Sequence, residues 1–353
     1  MGIFPKYVKP LANLCRAMPV LVLAMFTVNS FADTGQAAIL RGDYGAAAAQ
    51  FMYKAQRSDA IAQNNLGVLY LKGQGVPQNY AQARSWFETA ATAGLAGAMF
   101  NLGITYLRGY GVEADLQHST DWFHRGADAG DREAQFYYGL HLYHGRGVVQ
   151  DLVAAAQWFR RASEQNLGSA QYNLAMMVLR GELGEPDENE ALELLRKAAA
   201  LGHEAADMAI GRIYLADIEN PEQALLATEI FQRLAEDGHA DAQVTLGMIY
   251  TFGQGNVAQN FDEGRFWLKL ASNQRSGPAR LNLGNIYAQG IGVERDLVRA
   301  YAWYSLSAET GDEAGQSYRD TLGKQLNKQE LEAAQRLAIE FANTIPSPKF
   351  LPP

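Results

Sequence analysis

The sequence predicts an all-α fold, a right-handed superhelical solenoid of helical hairpins, and three recurrences along the chain predict it. Tryptophan keeps one beat: Trp86, Trp122 and Trp158 are 36 residues apart, Trp267 follows after three such steps plus one, and Trp303 lies 36 further on. Glycine keeps the same beat 19 or 20 residues earlier, at Gly67, Gly103, Gly139, Gly247 and Gly284, with Ala175 and Gly211 at the two steps that lack Trp. Around each glycine stands Ala-x3-Leu-Gly-x2-Tyr or a close variant, as in Ala62-Leu66-Gly67-Tyr70 and Ala279-Leu283-Gly284-Tyr287. Spacings of three and four place those residues on one helical face, and repetition at a fixed period of this length is the signature of a solenoid.

The first 32 residues belong to a different class of segment. Lys6, Lys9 and Arg16 precede an apolar run from Ala17 to Val28, and Ser30-Phe31-Ala32 supplies small residues where a signal peptidase reads, so residues 1–32 are expected to be a cleavable secretory signal. The apolar run is short for a span of ~20 residues. An uncleaved anchor is the alternative. Residues 33–59 read as a half-repeat, with Gly42-Asp43-Tyr44 followed by Ala48, Phe51 and Ala55, and are expected to cap the N-terminal end.

Seven full units are expected over residues 60–311. The first helix of each carries the Ala, Leu, Gly and Tyr positions. A turn follows, written Gly73-Gln74-Gly75-Val76, Gly109-Tyr110-Gly111-Val112, Gly145-Arg146-Gly147-Val148 and Gly290-Ile291-Gly292-Val293, where glycine supplies the left-handed backbone that stops a helix. The second helix carries Ala83, Trp86, Phe87, Ala90 and Ala91 in the first unit, and it ends in most units at a glycine such as Gly94, Gly130, Gly202, Gly238 or Gly311. Small residues where the helices cross leave room for close approach, and Trp with Phe or Tyr is expected to fill the space between units. Asp312 to Gln325 then reads as another first helix, and Asn327-x-x-Glu330 is a capping box opening a last helix. Residues 312–343 form the expected C-terminal cap, and 344–353 the expected disordered tail.

The order Ala-x3-Leu-Gly-x2-Tyr, Gly-x-Gly-Val, Ala-x2-Trp-Phe/Tyr-x2-Ala-Ala-x2-Gly resembles the Sel1-like repeat, a relative of the tetratricopeptide repeat. Two units depart from it. The fourth has Leu194 in place of Trp and Glu185-Pro186-Asp187 in its turn, and the fifth has Ile230 in place of Trp and Asn220-Pro221 in place of the glycine turn. The resemblance implies an adaptor for other proteins, with roles in relatives that include polysaccharide export, flagellar motors and host interaction. Some cysteine-rich relatives are linked to penicillin binding. Here the single cysteine, Cys15, would leave with the signal.

Composition narrows the function further. The formal charge is −8 and would become −11 once the three basic residues of the signal are removed, which argues against nucleic acid as a partner. An exported chain of this kind is expected in the periplasm, with secretion or anchoring as alternatives. No catalytic constellation is legible. His141 and His144 share a helix at a spacing of three, yet no third ligand stands in a recognisable pattern beside them. The Gly-x-Gly turns lack the preceding strand and the Lys-Ser/Thr of a phosphate loop. No Gly-x-Ser-x-Gly or Ser-x-x-Lys context activates a serine, so neither an enzyme nor a cofactor is expected.

The variable positions of the first helices are the candidate site. Positions three before each glycine and one, four and five after it are expected to line the concave face of a tetratricopeptide-like stack. They read Phe100, Phe136 and Tyr172; Val68, Ile104, Leu140 and Met176; Leu71, Leu107, Tyr143, Leu179 and Leu215; and Lys72, Arg108, His144 and Arg180. One reading is a groove with an apolar floor and a basic edge, which would take an extended or helical partner segment bearing acidic residues. The competing reading packs the apolar residues between neighbouring helices and leaves the cations at helix C-termini, where they meet the dipole at ~0.3–1 kcal/mol each. Recognition of glycan or peptidoglycan is the alternative function, because Phe136, Tyr143 and Tyr172 could stack on sugars. Asn65, Asn101, Asn173 and Asn282 could orient a bound backbone or bond their own helices.

Overall fold

The computed structural model describes residues 34–216 and 220–344. The expected signal, residues 1–32, and nearly all of the expected tail lie outside them. Eighteen α-helices and no strand occur among the described residues. The chain divides into two compact units between Asp187 and Glu188, at the end of the Glu-Pro-Asp turn that sets the fourth repeat apart.

The N-terminal unit comprises α1 (Thr34–Leu40), α2 (Tyr44–Ala55), α3 (Ala60–Lys72), α4 (Tyr80–Thr92), α5 (Ala96–Arg108), α6 (Leu116–Asp128), α7 (Arg132–His144), α8 (Leu152–Glu164) and α9 (Gly168–Leu179). The C-terminal unit comprises α10 (Glu188–Ala200), α11 (Glu204–Ala216), α12 (Pro221–Glu236), α13 (Ala240–Phe252), α14 (Phe261–Asn273), α15 (Gly277–Gln289), α16 (Leu297–Ala308), α17 (Glu313–Gly323) and α18 (Lys328–Thr344). None of these helices is long and apolar enough to cross a membrane.

Most of the first and second helices open and close on identifiable caps, α5, α9 and α13 opening without a side-chain one. Asp59, Asn79, Asp115, Asp131 and Asp151 accept hydrogen bonds from backbone N–H groups of the first turns of α3, α4, α6, α7 and α8, satisfying donors that the helix cannot. At the other end of α7, Gly145 adopts φ 66° and returns its N–H to the His141 carbonyl, a conformation that costs a residue with a Cβ ~1–2 kcal/mol. The capping box is present as written: Asn327 N–H donates to Glu330 Oε2 at 2.9 Å, and Glu330 N–H to Asn327 Oδ1 at 3.0 Å.

The two helices of a hairpin meet at the first-helix glycine. A Cβ placed on Gly67 would stand 2.6 Å from the Phe87 ring, one on Gly139 2.8 Å from Phe159, and one on Gly211 2.8 Å from Phe231, while Gly103 meets Phe123 more closely still. Sequence reasoning put both aromatics of the Trp-Phe pair between units. The structure corrects this for the phenylalanine, which lies on the glycine of its own hairpin and is fully buried in Phe87, Phe123, Phe159 and Phe231. Burial of such a ring stabilises by ~1.5–3 kcal/mol. The tryptophan does reach the neighbour. Trp86 packs on the cluster holding Ala47 and Phe51, Trp122 on that holding Val68 and Phe87, and Trp158 on that holding Phe100 and Phe123.

Two further contacts tie successive hairpins. The second glycine of each turn abuts the start of the preceding second helix: a Cβ on Gly111 would lie 2.8 Å from Tyr80 Cβ, and one on Gly255 2.6 Å from Ala224 Cβ. A glutamine latch spans the junction, with Nε2 of Gln63, Gln135, Gln171 and Gln243 donating to the carbonyls of Ala55, Ala127, Ser163 and Ala235, each eight residues earlier. These carbonyls lie in the last turn of a helix and each also accepts the backbone N–H three residues on, so the glutamine adds a second hydrogen bond to an acceptor with two lone pairs. Arg280 takes the same place in the last repeat and bonds the carbonyls of Leu306 and Ser272.

His141 is a third tie. Its Nδ1 lies 2.6 Å from Thr120 Oγ1, which in turn is within 2.8 Å of the Arg146 and Leu116 carbonyls. Thr120 and His141 share one hydrogen bond, whose direction follows the imidazole tautomer, and together they face the Arg146 carbonyl. Burial, reinforced by the nearby Arg146, pushes the His141 pKa down to about 4, and the imidazole is neutral at pH 7. In the C-terminal unit the irregular fifth repeat still folds as a hairpin, α11 on α12, with Asn220 capping and Pro221 in the first turn. The C-terminal cap closes on the last indole, where Phe341 stacks on Trp303 at 4.6 Å.

Two outcomes are expected. Gly139→Ala should destabilise by about 1–3 kcal/mol through overpacking on Phe159, despite alanine's better helix propensity. Adding Phe159→Leu should recover part of that loss, so a double-mutant cycle in urea will show favourable coupling of ~0.5 kcal/mol or more. Because the folded pKa of His141 lies below its unfolded value near 6.5, its contribution is fully present above pH ~6.5 and is lost as pH falls toward 4. That loss is on the order of 3 kcal/mol. Thermal melts from pH 7 to 4 should therefore fall more steeply for the native chain than for His141→Gln.

Candidate partner-binding face of the first helices

The expected site residues divide by hairpin. Phe100 and Ile104 of α5 are 1% and 2% exposed and sit in a core cluster with Phe123, Ala127 and Ala134. The Phe100 ring lies 5.4 Å from Tyr137 and 5.8 Å from Phe123. Val68 and Leu71 are buried as well, and so is Leu215 in the other unit. The expectation of one apolar floor running through four repeats is corrected accordingly, since in the first two repeats these positions, Leu107 excepted, belong to the core.

The third and fourth repeats differ. Phe136, Leu140 and Tyr143 of α7 are half-buried, and so are Tyr172, Met176 and Leu179 of α9 and Leu107 of α5. Phe136 is braced by Phe159 at 5.7 Å and by the edge of Tyr137. Rings and aliphatic chains on two successive first helices therefore remain in reach of solvent while their inner sides are packed. Such partly open apolar surface is what interaction sites expose.

The basic edge changes more. Arg180 donates to the Tyr143 hydroxyl at 3.0 Å and pairs with Glu182 at 3.6 Å, and Tyr143 in turn donates to Glu182 Oε1 at 2.9 Å. Burial and the Glu182 carboxylate push the Tyr143 phenol up, so it acts as a neutral donor. His144 is exposed at the end of α7, yet burial of its ring and the nearby Arg146 lower its pKa. It is neutral at pH 7. Lys72 is half-buried, and burial lowers its pKa too. Arg108 stands exposed at the end of α5. A row of four equal charges is thus not what the fold presents: one cation is countered within its own turn and one imidazole is uncharged.

The asparagines read as structural. Asn101 Nδ2 donates to Asn64 Oδ1 at 2.8 Å in the interior, Asn65 is buried, and Asn173 and Asn282 bond carbonyls one helical turn back. His141 is engaged by Thr120, so it does not converge with His144 on a common point. Among the described residues no group of three or more His, Cys, Asp or Glu is placed to hold a metal ion.

Sequence reasoning missed Glu182 and Tyr137. Glu182 lies in the turn that departs from the glycine pattern, two residues after Arg180, and that proximity was the available signal. Tyr137 takes the place that Asn65, Asn101 and Asn173 occupy in neighbouring repeats. Its ring fills the gap between Phe100, Phe123 and Phe136, and its phenol is pushed up by burial, then by Glu133.

Comparisons with known proteins agree with this architecture. No curated protein matches the chain significantly. Among solved structures it is similar to c5321, a protective antigen present in uropathogenic Escherichia coli strains and displaying an SLR fold, with 27% identity and TM-score 0.55 over 89% of this chain and 77% of that one. It is also similar to a Sel1 repeat protein from Oxalobacter formigenes, with 27% identity and TM-score 0.59 over 67% of this chain and 95% of the other. The family model for the Sel1 repeat matches residues 60–95, 96–131, 132–167, 168–203, 240–276 and 277–312. Six of the seven expected units are recognised by it, and the fifth, without Trp or glycine turn, is the one passed over. With more than half of its length in recognised repeats, the chain belongs to the Sel1 repeat family.

Proposed function

We propose that this chain is a non-catalytic adaptor exported to the periplasm, where it holds a segment of an envelope protein on the first helices of its third and fourth repeats. Sel1 repeat chains in general serve as scaffolds for protein–protein interaction, and that much follows from the family. The observation that carries the finer reading is the half-buried run Phe136, Leu140, Tyr143, Tyr172 and Met176 on α7 and α9. It is continuous in register across two repeats, and it is flanked by the Arg180–Tyr143–Glu182 network. Such a network orders the rim without adding net charge. An apolar segment with polar flanks suits this surface, as an amphipathic helix or an extended strand would provide. Lys6, Lys9, Arg16 and the apolar run Ala17 to Val28 support export.

Leu140→Glu with Met176→Glu puts two charges into the centre of the face at half-buried positions that can hold them without unfolding. A desolvated unpaired charge in an interface costs several kcal/mol, so capture of the main partner from native envelope extracts should drop by about a hundred-fold or more. Far-ultraviolet circular dichroism should stay that of the native chain. Unchanged capture would overturn this placement of the site, and co-sedimentation of the native chain with purified peptidoglycan would favour the glycan reading instead.

A further inference from the structure

The residue before the first-helix glycine is leucine or isoleucine in six of the seven repeats, at Leu66, Leu102, Leu174, Ile210, Leu246 and Leu283, and each is 5% exposed or less. The third repeat has Tyr138 there, and it is half-buried. Leucine meets the packing need in the other repeats, so the phenol supplies something that packing does not require. Its hydroxyl makes no hydrogen bond among the described residues.

Three rings form a corner around it. His124 stacks on Tyr138 at 4.4 Å, and Trp158 stands at 71° to Tyr138 and 82° to His124, with centroids 5.5 and 6.2 Å away. Asp128 Oδ2 is 3.4 Å from His124 Nε2, Asp151 accepts the Ala154 N–H with one oxygen, and Asp121 is exposed without an ion pair among the described residues. Burial, then the carboxylates of Asp128, Asp121 and Asp151, push the Tyr138 phenol up, and no cation opposes them. Arg125 and Arg161 lie elsewhere, with their guanidinium carbons 4.1 Å over the Trp122 ring and 4.3 Å over the Trp158 ring. The Trp158 indole is thus partly covered by a cation already, whereas the Tyr138 oxygen sits in a negative field with no donor of its own.

We propose that the corner of Tyr138, His124 and Trp158 takes a lysine or arginine side chain from a basic segment of a protein partner. The cationic head donates to the Tyr138 hydroxyl and faces Asp121, Asp128 and Asp151, while its methylene stem lies along the rings, as such stems do on apolar surface. A formal charge of −8 draws a basic segment toward the chain as a whole. This site extends the adaptor reading but uses residues other than Phe136, Leu140, Tyr143, Tyr172 and Met176, so either can fail while the other stands.

The test measures fluorescence anisotropy of a labelled ten-residue peptide with Lys-Leu-Arg at its centre and Ser and Gly around it, titrated with the purified chain. The same peptide with norleucine for Lys and citrulline for Arg keeps the stems and removes the charge, and spermidine serves as a free cation. Saturable binding is expected. It should weaken by about ten-fold or more with the neutral peptide, because charge-assisted contacts are lost. The same loss is expected in Tyr138→Leu, which carries the residue of the other repeats, and in Asp121→Asn with Asp151→Asn, where asparagine still caps α8. Tyr138→Phe keeps the ring without the hydroxyl and should fall between the native chain and Tyr138→Leu. Arg161→Gln removes the cation on Trp158 and should leave binding unchanged or tighter, and Leu140→Glu with Met176→Glu should not weaken it. Absence of saturable binding, equal affinity for the two peptides, or full affinity in Tyr138→Leu would overturn the proposal. Displacement of the peptide by an equal concentration of spermidine would also overturn it and assign the corner to free polyamines.

Discussion

The close approach of a first-helix glycine to a second-helix aromatic is the contact on which the rest of this molecule depends. At Gly67, Gly103, Gly139 and Gly211 the ring of Phe87, Phe123, Phe159 or Phe231 occupies the space a Cβ would need. A glycine in mid-helix weakens that helix by about 1 kcal/mol, and the buried ring more than offsets it. With the phenylalanine spent inside its own hairpin, the adjacent tryptophan is released to face the hairpin before. One dipeptide thereby closes a hairpin with one ring and joins it to its neighbour with the other. The glutamine latch and the second turn glycine act at the same junctions, so stability is expected to be shared between nearest neighbours.

The same packing decides what is left over for recognition. Where Phe100 and Ile104 join the core cluster around Phe123, a first helix has little apolar surface to offer. Where Phe136, Leu140, Tyr172 and Met176 stay half-buried, it has some. These are the same register positions in successive repeats. The contrast follows from the next repeat, since Phe100 meets the ring of Tyr137 on the following first helix, whereas the equivalent place after Phe136 holds the smaller Asn173. A candidate interface thus emerges at the third and fourth repeats without any change in backbone pattern.

How much of this could be read in advance follows from which signals are periodic. The hairpins, their turns, the capping box at Asn327 and Glu330, and the weak fifth repeat were legible, because each rests on residues recurring at 36 or on local hydrogen-bond chemistry. The glutamine latch recurs too, at Gln63, Gln135, Gln171 and Gln243, and could have been found from that recurrence. The charge of the candidate edge could not. Arg180 is countered by Glu182 only because the fourth turn leaves the glycine pattern. His141 and His144 are uncharged because of burial that depends on the rotation of α7 against α6. Nor does the spacing of Trp and Arg say that Arg125 lies flat on Trp122 rather than pairing with Asp121 or Asp128.

Hydrogen–deuterium exchange of a Gly103→Val variant, followed by mass spectrometry, tests the central contact most directly. A branched side chain there must displace the Phe123 ring, so faster exchange is expected in α5 and α6 and in the adjoining α4 and α7, with α1 and α2 protected as in the native chain. Native-like protection throughout would show that the glycine contact does not hold the hairpin. Equal loss of protection in α1 and α2 would show that the repeats are not coupled through nearest neighbours.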